Sequence, residues 1–446
     1  MPIKRRDFLT STGGALAAAA SLRSDASSAA AMQGDSAYDV TRQRSKMSPG
    51  IPHRPFNGSY EGEHLNQIAF PMGGIGAGMI CLEGTGALTH VSLHHRPALT
   101  HEPLIFAALT LKGKNKLARV LEGPVPSWKL FPGGAYAIGI SPHGGLPRFR
   151  SASFQARFPF AQLSLADDSV PVTVQMTGWS PFEPNDEDNS SLPVAGLEYT
   201  FTNNGREPLE AVFSFNAKNF MYRPDYSAES GLPAQAIRPT AGGFLLYGAS
   251  SAIPTEEGTF AAWVDDPQVK VDHAWHRGSF NPLARVWSDI EAGLCVERPP
   301  VNEGAAAPGA SLSVPFTLAP KGRKTIVLHL AWYVGRSNLR TAGGELFGFQ
   351  NLADGPETYK PWYAGRFADI AQLVAYWQSQ YAVLKLNSER FSNCFYSSTL
   401  PPEVVESVAA NLSILKSPTL LRQTDGRIWG WEGCADTEGS GGPGSC

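Results

Sequence analysis

Between about residues 65 and 335 apolar and polar residues alternate with a period of two, and this pattern restricts the fold more than any other feature of the chain. Leu197, Tyr199 and Phe201 alternate with Glu198, Thr200 and Thr202. In an extended strand one set faces a core and the other faces away. Leu209, Ala211, Phe213 and Phe215 resume the alternation after Asn203-Asn204-Gly205. Those three residue types permit the positive φ angles of a tight connection, so the pair is expected to form a β-hairpin. Phe158, Phe160, Leu163 and Leu165 lead into Asp167-Asp168, and Val172, Val174 and Met176 then alternate with Thr173 and Gln175. Leu312, Val314, Phe316 and Leu318 do the same before Pro320-Lys321-Gly322, and the apolar run Ile326 to Leu330 suits a strand buried on both faces. The 45 glycines and 35 prolines supply the turns that many short strands need. An antiparallel β-sandwich over residues 61–356 accommodates all of this.

The period then changes. Trp362, Phe367, Ile370, Val374, Trp377 and Leu384 fall at helical spacing. A second helix is expected after Pro401-Pro402, carrying Glu403, Val404, Val405, Val408 and Leu412 and ending near Lys416, before Pro418. Proline in a first turn costs no hydrogen bond there, and Glu403 and Glu406 suit the positive end of the helix dipole. Thr424-Asp425-Gly426 is a turn between two short strands, Leu420–Arg422 and Ile428–Trp431. The fold class is therefore mainly β, with helices confined to residues 357–446.

The N-terminus looks like an address. Lys4-Arg5-Arg6-Asp7-Phe8-Leu9-Thr10 matches the twin-arginine export pattern, a weakly apolar stretch runs from Gly13 to Leu22, and Ala29-Ala30-Ala31 offers small residues for cleavage. Residues 1–31 are expected to be a signal peptide read by the twin-arginine machinery, placing the protein in the periplasm or outside the cell. Residues 32–60 are polar and turn-rich, as in a linker or surface arm. No run of eighteen apolar residues follows, so no transmembrane helix is predicted. The formal net charge of −3 gives no electrostatic reason to expect nucleic acid as a partner.

Several chemical motifs fail on inspection. Gly73-Gly74-Ile75-Gly76-Ala77-Gly78 has the wrong spacing for a nucleotide loop and no following Gly-Lys-Ser/Thr, so it reads as a bend where another backbone comes close. His90, His94 and His95 lack a cysteine or carboxylate at zinc-type spacing and read as satisfied or surface histidines. Asp186-Glu187-Asp188-Asn189 lacks a calcium-loop pattern and reads as a solvated acidic loop. Of five cysteines, Cys81, Cys295 and Cys394 read as buried free thiols, while Cys434 and Cys446 stand close enough in sequence to meet. No metal or other cofactor is expected.

Three segments together resemble glycoside hydrolase family 116, which includes bacterial β-glucosidases and the non-lysosomal glucosylceramidase. They are Phe70-Pro71-Met72-Gly73-Gly74-Ile75-Gly76-Ala77-Gly78; Trp179-Ser180-Pro181-Phe182 through Ser191-Leu192-Pro193-Val194 to Glu198-Tyr199-Thr200-Phe201-Thr202-Asn203; and Ser398-Thr399-Leu400-Pro401-Pro402 through Ala410-Asn411-Leu412-Ser413 and Ser417-Pro418-Thr419 to Trp429-Gly430-Trp431-Glu432-Gly433-Cys434. The resemblance implies an N-terminal β-sandwich joined to an (α/α)6 barrel and cleavage of β-glucosides, as carbohydrate or glycolipid, with retention of configuration. Retention needs two carboxyl groups about 5–5.5 Å apart. In the family both lie in barrel segments beyond the point matching Cys446, so no catalytic residue carries over. Residues 357–446 are expected to be the start of a truncated helical domain, and the isolated chain to be inactive. Glu432 sits inside a matched motif and is expected to line the cleft, and Trp429 and Trp431 either stack on a sugar face or fill a domain interface. The other reading is a non-catalytic carbohydrate-binding or scaffolding sandwich. Oligomeric state is not legible.

Overall fold

The computed structural model describes residues 54–95, 97–98, 101–130, 143–221, 233–248, 254–277, 281–337 and 360–430. The export signal expected over residues 1–31 lies outside them. Among the described residues no helix is long and apolar enough to cross a membrane.

The alternating strands form two facing antiparallel sheets. The larger has nine strands in the order β1-β7-β8-β9-β10-β17-β14-β13-β12. These are β1 Tyr60–Glu61, β7 Ser151–Arg157, β8 Phe160–Ala166, β9 Val172–Trp179, β10 Val194–Asn203, β12 Ile237–Thr240, β13 Gly243–Gly248, β14 Gly258–Val264 and β17 Arg323–Tyr333. The smaller runs β15-β16-β11-β5-β6, with β5 Ile105–Leu111, β6 Leu117–Val120, β11 Leu209–Lys218, β15 Lys270–Asp272 and β16 Gly309–Leu318. A three-stranded sheet, β2 Ala69–Met72, β3 Met79–Glu83 and β4 Leu88–Ser92, adds Phe70, Met72, Ile80 and Leu82 to the same core. Leu197, Tyr199 and Phe201 of β10 meet Phe213 and Phe215 of β11 and Leu312 and Val314 of β16 there. The alternation thus sets which side chains enter the sandwich, as its period requires.

The expected β10–β11 hairpin does not form. β10 pairs with β9 and β17, whereas β11 pairs with β16 and β5 in the other sheet. The connection is an arch between sheets. Asn203 is fully buried, and its amide donates to the carbonyls of Glu207, Leu318 and Ala319 at 2.8, 3.3 and 3.1 Å, while its Oδ1 accepts the N–H of Gly205 at 2.8 Å. Neither Asn nor Gly takes a positive φ. Alternation cannot distinguish a strand that turns back from one that changes sheets, because both bury the same face.

Helices cover both outer faces. Helix α1, Pro282–Glu291, starts at Asn281, whose side chain accepts the N–H of Leu283 at 3.0 Å. Its Leu283, Val286, Trp287 and Ile290 pack on Phe106, Ala108, Ala118 and Val120 of the smaller sheet. After the short α2, Trp362–Arg366, the 27-residue helix α3, Ile370–Tyr396, lies on the nine-stranded sheet. Asp369 caps it, accepting the N–H of Gln372 at 3.0 Å. Ile370, Leu373, Val374, Trp377 and Leu384 join Trp179, Val194, Trp263 and Ala331 of the sheet in a second core. This is why β17 is apolar on both faces: it faces the sandwich core on one side and α3 on the other. His329 interrupts that run on the α3 side, where its Nε2 lies 3.0 Å from Asp265.

Beyond Leu384 the most deeply buried positions of α3 are serines, beside Phe391, which packs on Phe158 and Phe182. Ser388 Oγ accepts the N–H of Phe182 at 3.0 Å, and Ser392 Oγ donates to the carbonyl of Arg157 at 3.1 Å. The helix here crosses the end of β7 and the loop after β9, whose free backbone groups need partners. Midway, Trp179 Nε1 donates to Tyr381 Oη at 3.1 Å, Tyr381 donates to Glu198 at 2.8 Å, and Lys385 also binds Glu198 at 2.8 Å. Gly196 makes room, since a Cβ there would stand 2.9 Å from Tyr381 Oη.

The segment after residue 142 is fastened by Glu122. Its carboxylate meets His143 Nε2 at 2.8 Å and Arg148 Nε at 3.0 Å. Burial disfavours its charge, but the contacts with His143 and Arg148 overcome that and hold its pKa down at about 2. Of the three thiols expected to be buried, Cys81, Cys295 and Cys394 are all free, but only Cys81 is buried; Cys394 is exposed on α3. Cys434 and Cys446 lie outside the described residues.

Two outcomes are expected. Trp377→Ala removes a fully buried ring from between Trp179, His329 and Tyr381, and should cost about 3–5 kcal/mol in urea unfolding, with hydrogen-exchange protection lost along α3 first. Because the folded pKa of Glu122 lies below its unfolded value, its contribution is full above about pH 4.5 and fades as the pH falls towards 2. Glu122→Gln should therefore flatten the fall in stability over that window, removing on the order of 3 kcal/mol from it.

Candidate functional site

The described part of the matched C-terminal motif folds as helix α4, Pro402–Ile414, followed by the hairpin β18 Leu420–Arg422 and β19 Ile428–Gly430. Gly426 turns the hairpin at φ 85°, and Asp425 Oδ1 accepts the N–H of Arg427 at 2.9 Å. Both strands are close to those expected from the sequence. Part of the N-terminal arm lies on α4: Asn57 Nδ2 donates to the carbonyl of Pro402 at 2.8 Å, and Arg54 pairs with Glu406.

The glycine-rich loop is the seat of this hairpin. Gly76, at φ 64°, accepts the N–H of Arg422 at 3.2 Å, and a Cβ at this position would stand 2.2 Å from that nitrogen. Gly74 lies equally tight against Ser191 and Leu192. The bend inferred from the sequence is thus a double close approach of backbones. Arg422 is buried, and its guanidinium donates to the carbonyl of Glu187 at 3.0 Å, to Ser191 Oγ at 3.1 Å and to Asp188 at 2.8 Å, while stacking 4.5 Å from the Trp362 ring. The acidic loop expected to be simply solvated is therefore the anchor of the hairpin. Its partner is more than 230 residues away, and no local spacing signals it.

A second anchor is Lys416, fully buried with no carboxylate beside it among the described residues. Its ammonium donates to Ser180 Oγ at 2.6 Å and to the carbonyls of Ser180 and Pro181 at 2.9 Å each, below the rings of Phe158 and Phe182. Burial pushes its pKa well below the lysine range. Ser180 Oγ also accepts the N–H of Gly73, so one hydroxyl joins the glycine loop to the end of α4.

Of the expected cleft residues, Trp429 is placed and Trp431 and Glu432 lie outside the described residues. Trp429 is half-buried on β19, opposite Leu421, with Arg427 5.7 Å from its ring. Its Nε1 is buried without a hydrogen-bond partner among the described residues. Such a ring offers part of one face and no outward-pointing donor.

Among the described residues two carboxyl pairs are bridged by a lysine. Glu83 and Glu102, with His90, bring ligand atoms within 4.8 Å of one another, an approach that the sequence spacing around His90 did not reveal. The ammonium of Lys129 binds both, at 2.5 Å to Glu83 and 2.8 Å to Glu102. Burial raises the pKa of Glu83 against the pull of Lys129. His94 and His95 are held by the carbonyls of Thr255 and Val334, at 3.3 and 3.1 Å. The second pair, Glu198 and Glu389, flanks Lys385 at 2.7 and 3.8 Å. In each pair a lysine stands where a glycosidic oxygen would have to lie between acid and nucleophile.

The fold and motifs agree with comparisons to known proteins. The family described as beta-glucosidase 2, glycosyl-hydrolase family 116 N-term, matches residues 69–384. The chain belongs to glycoside hydrolase family 116. Among solved structures, a putative kojibiose phosphorylase from human microbiome is 10% identical, with a TM-score of 0.28 over 55% of this chain and 24% of that one. A polysaccharide lyase is 12% identical, with a TM-score of 0.27 over 61% of this chain and 33% of that one. The chain thus spans a quarter to a third of those two proteins, and both likenesses are too slight to bear on fold or activity.

Two glycines separate conformational strain from close approach. Gly426→Ala meets open space and should cost about 1 kcal/mol for its positive φ alone. Gly76→Ala should cost about 2 kcal/mol or more, because its Cβ strikes backbone, and should shift the tryptophan emission as the hairpin loosens. Equal effects of the two substitutions in thermal unfolding would contradict the assignment of Gly76 as the seat.

Proposed function

We propose that this chain is the N-terminal part of an exported retaining β-glycosidase that hydrolyses β-glucosides, and that it is inactive by itself. The observation that carries this reading is the two-sided helix α4. Val405 and Ala409 are buried, whereas Val404 and Val408, one turn apart, are 39% and 42% exposed, and Leu400 and Ile414 beside the helix ends are 56% and 52% exposed. Bare apolar residues on one side of an amphipathic helix call for a second helical layer. A helical catalytic unit of the kind the family resemblance implies supplies it.

In this reading the sandwich is the foundation and the chemistry belongs to the helical unit. One carboxyl would attack the anomeric carbon and another protonate the leaving oxygen, then activate water to release the sugar. The lysine-bridged pairs Glu83/Glu102 and Glu198/Glu389 are unsuited to either role. A proton donor needs a free path to the glycosidic oxygen, and the ammonium of Lys129 or Lys385 blocks it. The hairpin carrying Trp429 would stand at the entrance to the helical unit.

The test is an assay of residues 1–446 on an aryl β-glucoside. No turnover above buffer is expected, and sustained release of the aryl group would overturn the assignment. Export is tested separately: replacing Arg5 and Arg6 together by Lys should retain a fused reporter in the cytoplasm, and unaltered export would refute the twin-arginine reading.

A further inference from the structure

The molecule has a second feature suited to sugar chemistry, lined by none of the residues of the Trp429 hairpin. Beyond Leu384, α3 leaves a cleft of about 530 Å³ between itself and the outer face of the nine-stranded sheet. That size lies within the range of small-molecule sites, roughly 300–1,000 Å³. Its floor is a row of polar side chains in register across three strands: Gln162 of β8 opposite Thr177 of β9, and Thr177 opposite Glu198 of β10. Neighbouring strands lie about 4.8 Å apart, so the row presents hydrogen-bonding groups at steps close to the width of a sugar ring. Glu389 and Asn393 of α3 form the facing wall, and Arg157 and Tyr396 close one end.

Three properties narrow the ligand. First, charge is balanced: Arg157 and Lys385 face Glu198 and Glu389, so neither an anion nor a cation is favoured. Second, hydrogen-bonding capacity is unspent. The side chains of Gln162, Thr177 and Asn393 bind no other protein group among the described residues, and the guanidinium of Arg157 only stacks, 4.6 Å from the Tyr396 ring. Planar amide, carboxylate and guanidinium groups offer paired donors and acceptors, which suit adjacent hydroxyls that both donate and accept. Third, Tyr396 supplies aromatic surface beside the Arg157 guanidinium stacked on it, whereas Phe160 is buried against Trp179 and only backs the floor. We propose that this cleft is a saccharide-binding site, occupied by a neutral oligosaccharide and separate from any hydrolytic centre. Glu198 is held ready for a ligand by Tyr381 and Lys385, so its carboxylate needs no reorganisation on binding.

The test uses the full chain with cellobiose and maltose as probes and glycerol as a non-sugar control, read by saturation-transfer NMR and titration. It measures binding and so is independent of turnover. Saturable binding of at least one disaccharide is expected, with glycerol giving none. The double variant Gln162→Ala/Asn393→Ala alters only exposed side chains, and its melting temperature should match that of the unmodified chain. Its affinity should fall at least about tenfold. Absence of saturable binding for both disaccharides, equal response to glycerol, or unchanged affinity in the double variant would each overturn the proposal.

Discussion

The architecture depends on covering the outer face of a nine-stranded sheet. That face carries Trp179, Trp263, Ala331 and Tyr333, and without a cover it would be a broad apolar surface in water. Helix α3 provides the cover, with the fully buried Trp377 at the centre of the contact. Fully burying one large apolar side chain contributes about 1.5–3 kcal/mol, so a row of them makes the sheet and helix cooperate in stability. The sandwich core alone could form from the alternating strands, but β17 and β14 gain their second apolar face only through α3.

The same docking sets the position of everything that follows in the chain. α3 delivers α4 and the β18–β19 hairpin to the edge where the glycine loop and the 186–193 loop converge. Arg422 and Lys416 then fix them, each by donating to three or more oxygens on segments distant in sequence. Both cations are desolvated, and the oxygens around them offset that cost. Arg422 has a carboxylate in Asp188; Lys416 binds carbonyls and a hydroxyl. The two anchors thus differ in kind: removing Asp188 would leave a charge short of its counter-ion, whereas removing Ser180 would also release the Gly73 loop.

Much of this was legible in the sequence because it rests on local period. The strand faces of β8, β9, β10 and β16, the apolar stripe of α3 as far as Leu384, the proline start of α4 and the turn at Gly426 follow from residue spacing alone. What was not legible depends on pairing at long range. The arch at Asn203 has the composition of a hairpin turn and differs only in where the next strand finds its partners. Ser388 and Ser392 fall at helical spacing below Leu384, but hydroxyls do not register as a buried stripe unless the backbone groups they bind are known. Glu83, Glu102 and Lys129 are scattered over nearly fifty residues, and the role of Asp188 appears only once Arg422 is beside it. For the candidate cleft residues, Trp429 was placed in the hairpin by its turn, while its half-buried setting follows from the docking.

Ser388 and Ser392 of α3 also set where one wall of the cleft stands. Apolar residues at 388 and 392 would lose the hydrogen bonds that seat this half of the helix beside Gln162 and Thr177. Serines at 388 and 392 instead bind the Phe182 N–H and the Arg157 carbonyl, beside the apolar contact of Phe391 with Phe158 and Phe182. Glu198 then lies at the boundary between two regimes. Its carboxylate finishes the chain from Trp179 through Tyr381 on the apolar side and forms the first polar group on the other. A larger apolar residue at 388 would have to displace the contact to the Phe182 N–H, and with it the loop that carries Ser180 and Lys416. The two serines therefore seat this half of the helix beside the cleft and keep the anchors of the C-terminal hairpin in place through one set of hydroxyl contacts.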